Sequence, residues 1–138
     1  MKCLFISLKK WESEVTHLAS RGKHITHDPI REEKLLIEDA CAVLITYEES
    51  DSIAMLEQVV AEVEREAMDL GRVTILVTPF AHLSSNLGEA AEARDFLEQL
   101  TQALKRKGFN AVREHFGSDK HVELIVNSHP GCVRFREY

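Results

Sequence analysis

What this chain of 138 residues lacks narrows it first. It has three cysteines, Cys3, Cys41 and Cys132, odd in number, far apart and without a C-x-x-C pair. That spacing speaks against a disulfide framework or a cysteine zinc site and leaves buried thiols as the expectation. No apolar run approaches the roughly 20 residues of a membrane span. The opening Met1-Lys2-Cys3-Leu4-Phe5-Ile6 is too short for a signal peptide and lacks a small-residue cleavage site, so a cytoplasmic protein is expected. Positive charge is not in surplus either. A formal charge of −6 argues against a general nucleic-acid binder that neutralises many phosphates, though not against a partner gripped at one local basic patch. There is no G-x-S-x-G elbow, no phosphate-binding glycine loop, no H-E-x-x-H, no internal repeat and no low-complexity linker.

What is present is an ordinary globular composition, 44% hydrophobic and 29% charged, in a length that makes one domain over residues 1–138. Lys2 to Ser7 alternates and is apolar-rich, which predicts a strand. Trp11 to Glu33 is polar, carries Gly22 and Pro29, and is expected to be loop with a short helical piece. Ala40 to Tyr47 is a continuous apolar run suited to a strand covered on both faces. Ile53, Leu56, Val60, Val63, Ala67 and Leu70 then form one helical stripe, with Gly71 placed to end it. Val73 to Val77 is a further strand, closed by Pro79. A second helix carries Ala93, Leu97, Leu100 and Leu104 on one face, acidic residues early, and Lys105-Arg106-Lys107 before Gly108. Three strand-like runs follow, Asn110 to Phe116, His121 to Val126 and Cys132 to Tyr138. The middle reads as a βαβ unit with parallel pairing, the tail as antiparallel, and the whole as one α/β domain.

Candidate chemistry concentrates after the strand that Pro79 closes, because open α/β sheets bind ligands where a strand end turns toward a helix. Phe80-Ala81-His82-Leu83-Ser84-Ser85 lies there. His82 is a candidate acid, base or positioning group, against a histidine that caps the helix or fills a polar gap. Ser84 and Ser85 are expected as helix N-caps ahead of nucleophiles. Lys120, after Phe116-Gly117-Ser118-Asp119, has the ordinary reading of a solvated edge lysine, and His129-Pro130 that of a turn. His24 and His27 are three apart with no third ligand in view, so a surface pair is expected and no metal site is assigned.

Pro79-Phe80-Ala81-His82-Leu83-Ser84-Ser85 resembles the signature of the archaeal threonyl-tRNA synthetase N-terminal editing domain. The likeness continues through Leu104 to Asn110, Phe116-Gly117, Lys120 and His129-Pro130. Upstream, Leu4-Phe5-Ile6, Glu14-Val15 and Ile45-Thr46-Tyr47-Glu48 fit the same template, so the resemblance covers essentially the whole chain. It implies the fold shared with D-aminoacyl-tRNA deacylases, with a βαβ core, antiparallel C-terminal strands and curled mixed sheets, usually as a homodimer. It implies proofreading hydrolysis of L-serine from threonine tRNA at the aminoacylated 3′ end, with the tRNA's 2′-hydroxyl assisting the water and no cofactor. By motif position, Lys120 and His82 take the places of the family's functional lysine and pocket histidine. Tyr47 matches a position whose main chain holds substrate. Pro79, Phe80, Ala81, Phe116, Gly117 and His129 match the substrate-binding surroundings. Two positions depart from the pattern: Asp119 stands where the family has tyrosine, and Val133 where it has glutamate. Alternatives on the same residues are a D-aminoacyl-tRNA deacylase and a non-catalytic ligand-binding or dimerisation module. A synthetase catalytic part, in cis or in trans, is an expected partner.

Overall fold

Helical crossovers returning to the same sheet edge impose parallel pairing, and this chain makes two. In the computed structural model, which describes residues 1–20 and 25–138, the order is β1 (Lys2–Leu18), β2 (Leu35–Thr46), a 3-10 turn (Ile53–Met55), α1 (Leu56–Asp69), β3 (Thr74–Pro79), α2 (Ala90–Arg106), β4 (Asn110–Arg113), β5 (Ser118–Val126) and β6 (Val133–Glu137). The sheet has six strands in the order β4-β3-β2-β1-β5, with β6 also paired to β1. β2 with β3 and β3 with β4 are parallel, whereas β1 is antiparallel to β2, β5 and β6. One edge of β1 is shared: Lys2 to Ile6 pairs with β6, and Leu8 to Leu18 with β5. α1 ends where expected, at Gly71, whose φ of +67° is a left-handed conformation that side chains resist.

The helices cover one face. Cys41, Val43 and Ile45 of β2, Ile75 and Val77 of β3 and Ala111 of β4 pack there with Val59 and Val63 of α1 and Phe96, Leu97, Leu100 and Leu104 of α2. The opposite face, with Ile6, Leu8, Ala42, Leu44 and Leu76, has no helix over it among the described residues; Trp11 and Ile37 belong to the same cluster. These two come from the distal halves of β1 and β2. Trp11 lies beyond the end of the sheet where Ala40, Thr74 and Asn110 are aligned, yet its indole N–H donates to Glu114, past the other end of β4, at 3.1 Å. That contact requires the distal halves of β1 and β2, with β5, to curl back over the uncovered face as a second layer.

The stretch from Trp11 to Glu33 therefore departs from expectation: β1 runs on to Leu18. Trp11 and Ser13 are buried while Glu12 and Glu14 face outward, a period of two that polar composition hides. Strands on both sides, β2 as far as Ser13 and β5 as far as Leu18, satisfy main-chain groups that the side chains alone would not commit to a strand. Gly22 lies outside the described residues. In the tail, the run expected as strand to Phe116 stops pairing at Arg113, and β5 starts at Ser118.

Candidate active site

The loop after β3 owes its shape to the end of β2. Phe80 N–H donates to the Ile45 carbonyl at 2.9 Å, and Thr46 Oγ1 donates to the Phe80 carbonyl while accepting from Leu83 N–H at 3.3 Å. Ser84 Oγ donates to Glu48 Oε1 at 2.6 Å and accepts from Asn86 N–H at 3.1 Å. Gly88 N–H closes the loop on the Tyr47 carbonyl at 3.0 Å. The N-cap expectation for Ser84 and Ser85 fails here, because the helix begins only at Ala90, after Glu89. Ser84 is instead a loop tether. His82 is exposed and sits edge-on to Phe80, with ring centroids 5.1 Å apart. It neither caps the helix nor fills a buried gap, so its imidazole is available to a ligand.

A second group gathers where the curled layer meets the end of β4. Glu114 has no exposed surface. It accepts from Trp11 Nε1, Ser13 Oγ, Arg31 Nη2 at 2.7 Å and the His115 N–H at 2.8 Å. Burial would raise its pKa, but those donors outweigh burial and hold it below the usual carboxylate range. Asp28 behaves alike: burial is opposed by Arg113 at 2.8 Å, by the Phe116 N–H at 2.8 Å and by Arg94 at 2.7 Å, and its pKa ends well below normal. Lys120 borders this group. It pairs with Val15 on the side of β5 and β1 that carries Trp11 and Ser13 inward. Burial pushes its ammonium below the ordinary lysine range, Glu114 pulls back most strongly and Arg31 adds to the depression. Its Nζ donates to the Ser118 carbonyl at 3.2 Å. This is a partly desolvated cation, not a solvated edge lysine.

The remaining expected residues divide. Glu114 N–H donates to the Val77 carbonyl at 2.8 Å, so the chain entering Phe116-Gly117 leaves from the end of β3 where Pro79 and Phe80 begin. Gly117, at φ +75°, passes so close to Thr26 and His27 that a Cβ would lie 2.7 Å from His27 Cβ. Tyr47 and Phe116 turn their rings to the helix side, with the Tyr47 hydroxyl on the Asp51 carbonyl at 3.0 Å, whereas Phe80 packs on the opposite face. Tyr47 also lines a cleft of about 380 Å³ with Asp51, Ile53, Glu92, Asp95 and Phe96. His129 stands apart. Its Nδ1 donates to the Pro130 carbonyl at 2.9 Å and its Nε2 meets Ser7 Oγ at 3.2 Å, beyond the end of β5 that lies about 20 Å from Lys120 at strand rise.

Cys3 and Cys41 are buried, their thiols pushed up to about 12 by burial, and Cys132 is partly buried; all three are free. His24 lies outside the described residues. His27 is exposed, its ring on the Asp28 carbonyl at 3.2 Å, and among the described residues no cluster could hold a metal ion. Nor is any helix among them long and apolar enough to cross a membrane. Asp28, Arg31, Glu114, His115 and Ser118 escaped the sequence reading. Only the density of polar residues in a stretch that re-enters a core could have hinted at them.

Residues 1–137 match the Archaea-specific editing domain of threonyl-tRNA synthetase. Curated relatives include the threonine–tRNA ligases of Thermococcus gammatolerans, 34% identical over 94% of this chain, and Methanopyrus kandleri, 29% identical over 94%. The chain spans 21% of the length of each. Among solved structures, the c-Myc DNA Unwinding Element Binding Protein superposes with a TM-score of 0.72 at 16% identity, covering 100% of this chain and 99% of that one. That likeness is one of fold, the D-aminoacyl-tRNA deacylase-like α/β arrangement with a curled mixed sheet.

Proposed function

The chain belongs to the Archaea-specific editing-domain family of threonyl-tRNA synthetase, and from that premise we propose that it removes L-serine wrongly esterified to threonine tRNA. A synthetase pocket that fits threonine gains only about 1–3 kcal/mol over serine from the extra methyl, so a second site must hydrolyse the wrong product. The ester is already activated, and its hydrolysis asks little of a protein: a held water and a charge or N–H group at the developing oxyanion. Lys120 supplies the charge. A cation drawn partly out of water acts more strongly on an oxyanion than a solvated one.

The single observation behind this reading is Lys120, partly buried and on the inward side of β5 near Glu114, in a chain of this family. His82 positions substrate, with Pro79, Phe80, Ala81, Phe116, Gly117 and the main chain of Tyr47 as the surroundings. The tRNA 2′-hydroxyl assists the water. His129 stands outside this constellation within one chain. Residues 1–138 act as one editing unit, in the cytoplasm, as a homodimer, with a synthetase catalytic part in cis or in trans. The test is release of amino acid from Ser-tRNA and Thr-tRNA of the threonine acceptor. Serine should leave much faster; equal rates would defeat the proofreading claim. A D-aminoacyl-tRNA arm, preferred over L-serine, would favour the deacylase of the opposite stereoisomer.

A further inference from the structure

The turn from β4 to β5 holds a hydrogen-bonded pair that the reading above leaves unused. His115 is 5% exposed. Its Nε2 lies 2.9 Å from the Pro29 carbonyl oxygen and its Nδ1 lies 2.8 Å from Ser118 Oγ. A carbonyl oxygen only accepts, so Nε2 carries the proton and donates it to Pro29. In the neutral ring Nδ1 is then an acceptor, and the Ser118 hydroxyl must be its donor. Hydroxyl, base and orienting group thus stand in series, the arrangement that activates a hydroxyl. Ser118 and Lys120 are two apart in β5, so both side chains leave the same face of the strand. The Ser118 carbonyl also accepts from Lys120 Nζ. His115 is sealed in while Ser118 is partly exposed, which makes the hydroxyl the end of the pair that a ligand beside Lys120 would meet.

We propose that Ser118 and His115 form a proton relay for deacylation, an inference that rests on the deacylase reading. A water held near the tRNA 2′-hydroxyl hydrogen-bonds to Ser118 Oγ. As the water oxygen bonds to the ester carbonyl carbon, its proton passes to Ser118 Oγ and the Ser118 proton passes to His115 Nδ1. The carbonyl π electrons move to oxygen, giving an oxyanion that faces the Lys120 ammonium. Collapse breaks the bond from that carbon to the adenosine 3′ oxygen, which takes the proton back from His115 through Ser118. Serine and a free 3′-hydroxyl result, with Ser118 and His115 unchanged and no acyl group on the protein.

Single-turnover deacylation of Ser-tRNA on the threonine acceptor tests this, with thermal unfolding run on each variant. Ser118→Ala should lower the single-turnover rate constant about 100-fold with the half-saturating enzyme concentration nearly unchanged, as general-base removal does. Ser118→Thr, which keeps a hydroxyl, should recover most of that loss. His115→Gln can still donate to Pro29 but takes no proton, and should lose as much as Ser118→Ala; the double variant should fall no further. A pair that merely clamps the turn would instead shift the unfolding temperature and leave the rate of the folded protein intact. Full activity in folded Ser118→Ala or His115→Gln, or no recovery in Ser118→Thr, overturns the relay while leaving the deacylase standing. No serine release by the wild type removes both.

Discussion

On the helix-covered face, Val63, Leu100 and Leu104 have no exposed surface, and the large apolar core is joined by a single buried glutamate of α1, Glu66, which pairs with Arg134 and Arg136. Where the curled layer closes on the end of β4, the chain buries Glu114, tied to Arg31, and Asp28, tied to Arg113 and to Arg94 of α2, with His115 buried beside them. The two regions are stabilised differently. Apolar packing is non-directional and each residue contributes in proportion to the area it hides. A buried carboxylate contributes only while every donor stays in place, and deleting a partner leaves an unpaired group. The polar region is therefore costly to build for stability alone, and it is the one that borders Lys120. That coincidence points to a division of labour: the apolar core holds the fold and the seam at the end of β4 holds the chemistry.

The sharpest test of that division sets Leu100→Ala against Glu114→Ala. Loss of the leucine should cost about 2–5 kcal/mol as cavity. Loss of the glutamate should cost about 3–5 kcal/mol, because it strands the Arg31 guanidinium and the Trp11 and Ser13 donors. In urea unfolding both should be large, but only Glu114→Ala should also depress deacylation in protein that remains folded. Equal activity in the two variants would break the comparison.

Lys120→Met should behave in the opposite way. It keeps the aliphatic stem and removes the charge, so deacylation should fall about 100-fold or more. Burial already disfavours the ammonium in the folded state, so the variant should be at least as stable as the wild type near neutral pH. Near-full activity in a folded Lys120→Met protein would defeat the mechanism even with the family assignment intact.

Acid should dissolve the polar region. Asp28 and Glu114 both have depressed pKa values in the folded state. Their contribution is thus fully present above the unfolded carboxylate range near 4 and is lost as pH falls toward the folded values. Unfolding followed from pH 6 downward should show stability declining below about pH 4, and less steeply in Asp28→Asn if that variant folds. A flat profile would mean that the two carboxylates contribute nothing. The smallest effect is expected from His82→Ala. The ring is exposed and, among the described residues, rests edge-on against Phe80, so stability should hold and the rate should drop by less than in Lys120→Met.

Much of the helix side was legible from residue order. The stripe from Ile53 to Leu70, the Leu97-Leu100-Leu104 face and the apolar runs at Ala40 and Val73 are local patterns, and local periodicity survives into the fold because each element buries one face. The seven residues from Pro79 to Ser85 carried the family resemblance in the same way, as a contiguous string. Glu12 to Leu18 was not legible, since its mostly polar residues show no apolar run and become strand where β5 pairs along them and β2 pairs as far as Ser13. Ser84 was misread because its hydroxyl answers to Glu48, on another strand, and not to the next helix. Sequence by itself thus determined the elements, their order and the family. Tertiary structure alone decided that Asp28 meets the Phe116 amide 88 residues away and that Trp11 reaches Glu114 across 103, drawing Lys120 and the His115–Ser118 pair together at the seam. The reason is that hydrophobic periodicity is read within a few residues, whereas a buried charge is specified only by partners that the folded chain brings to it.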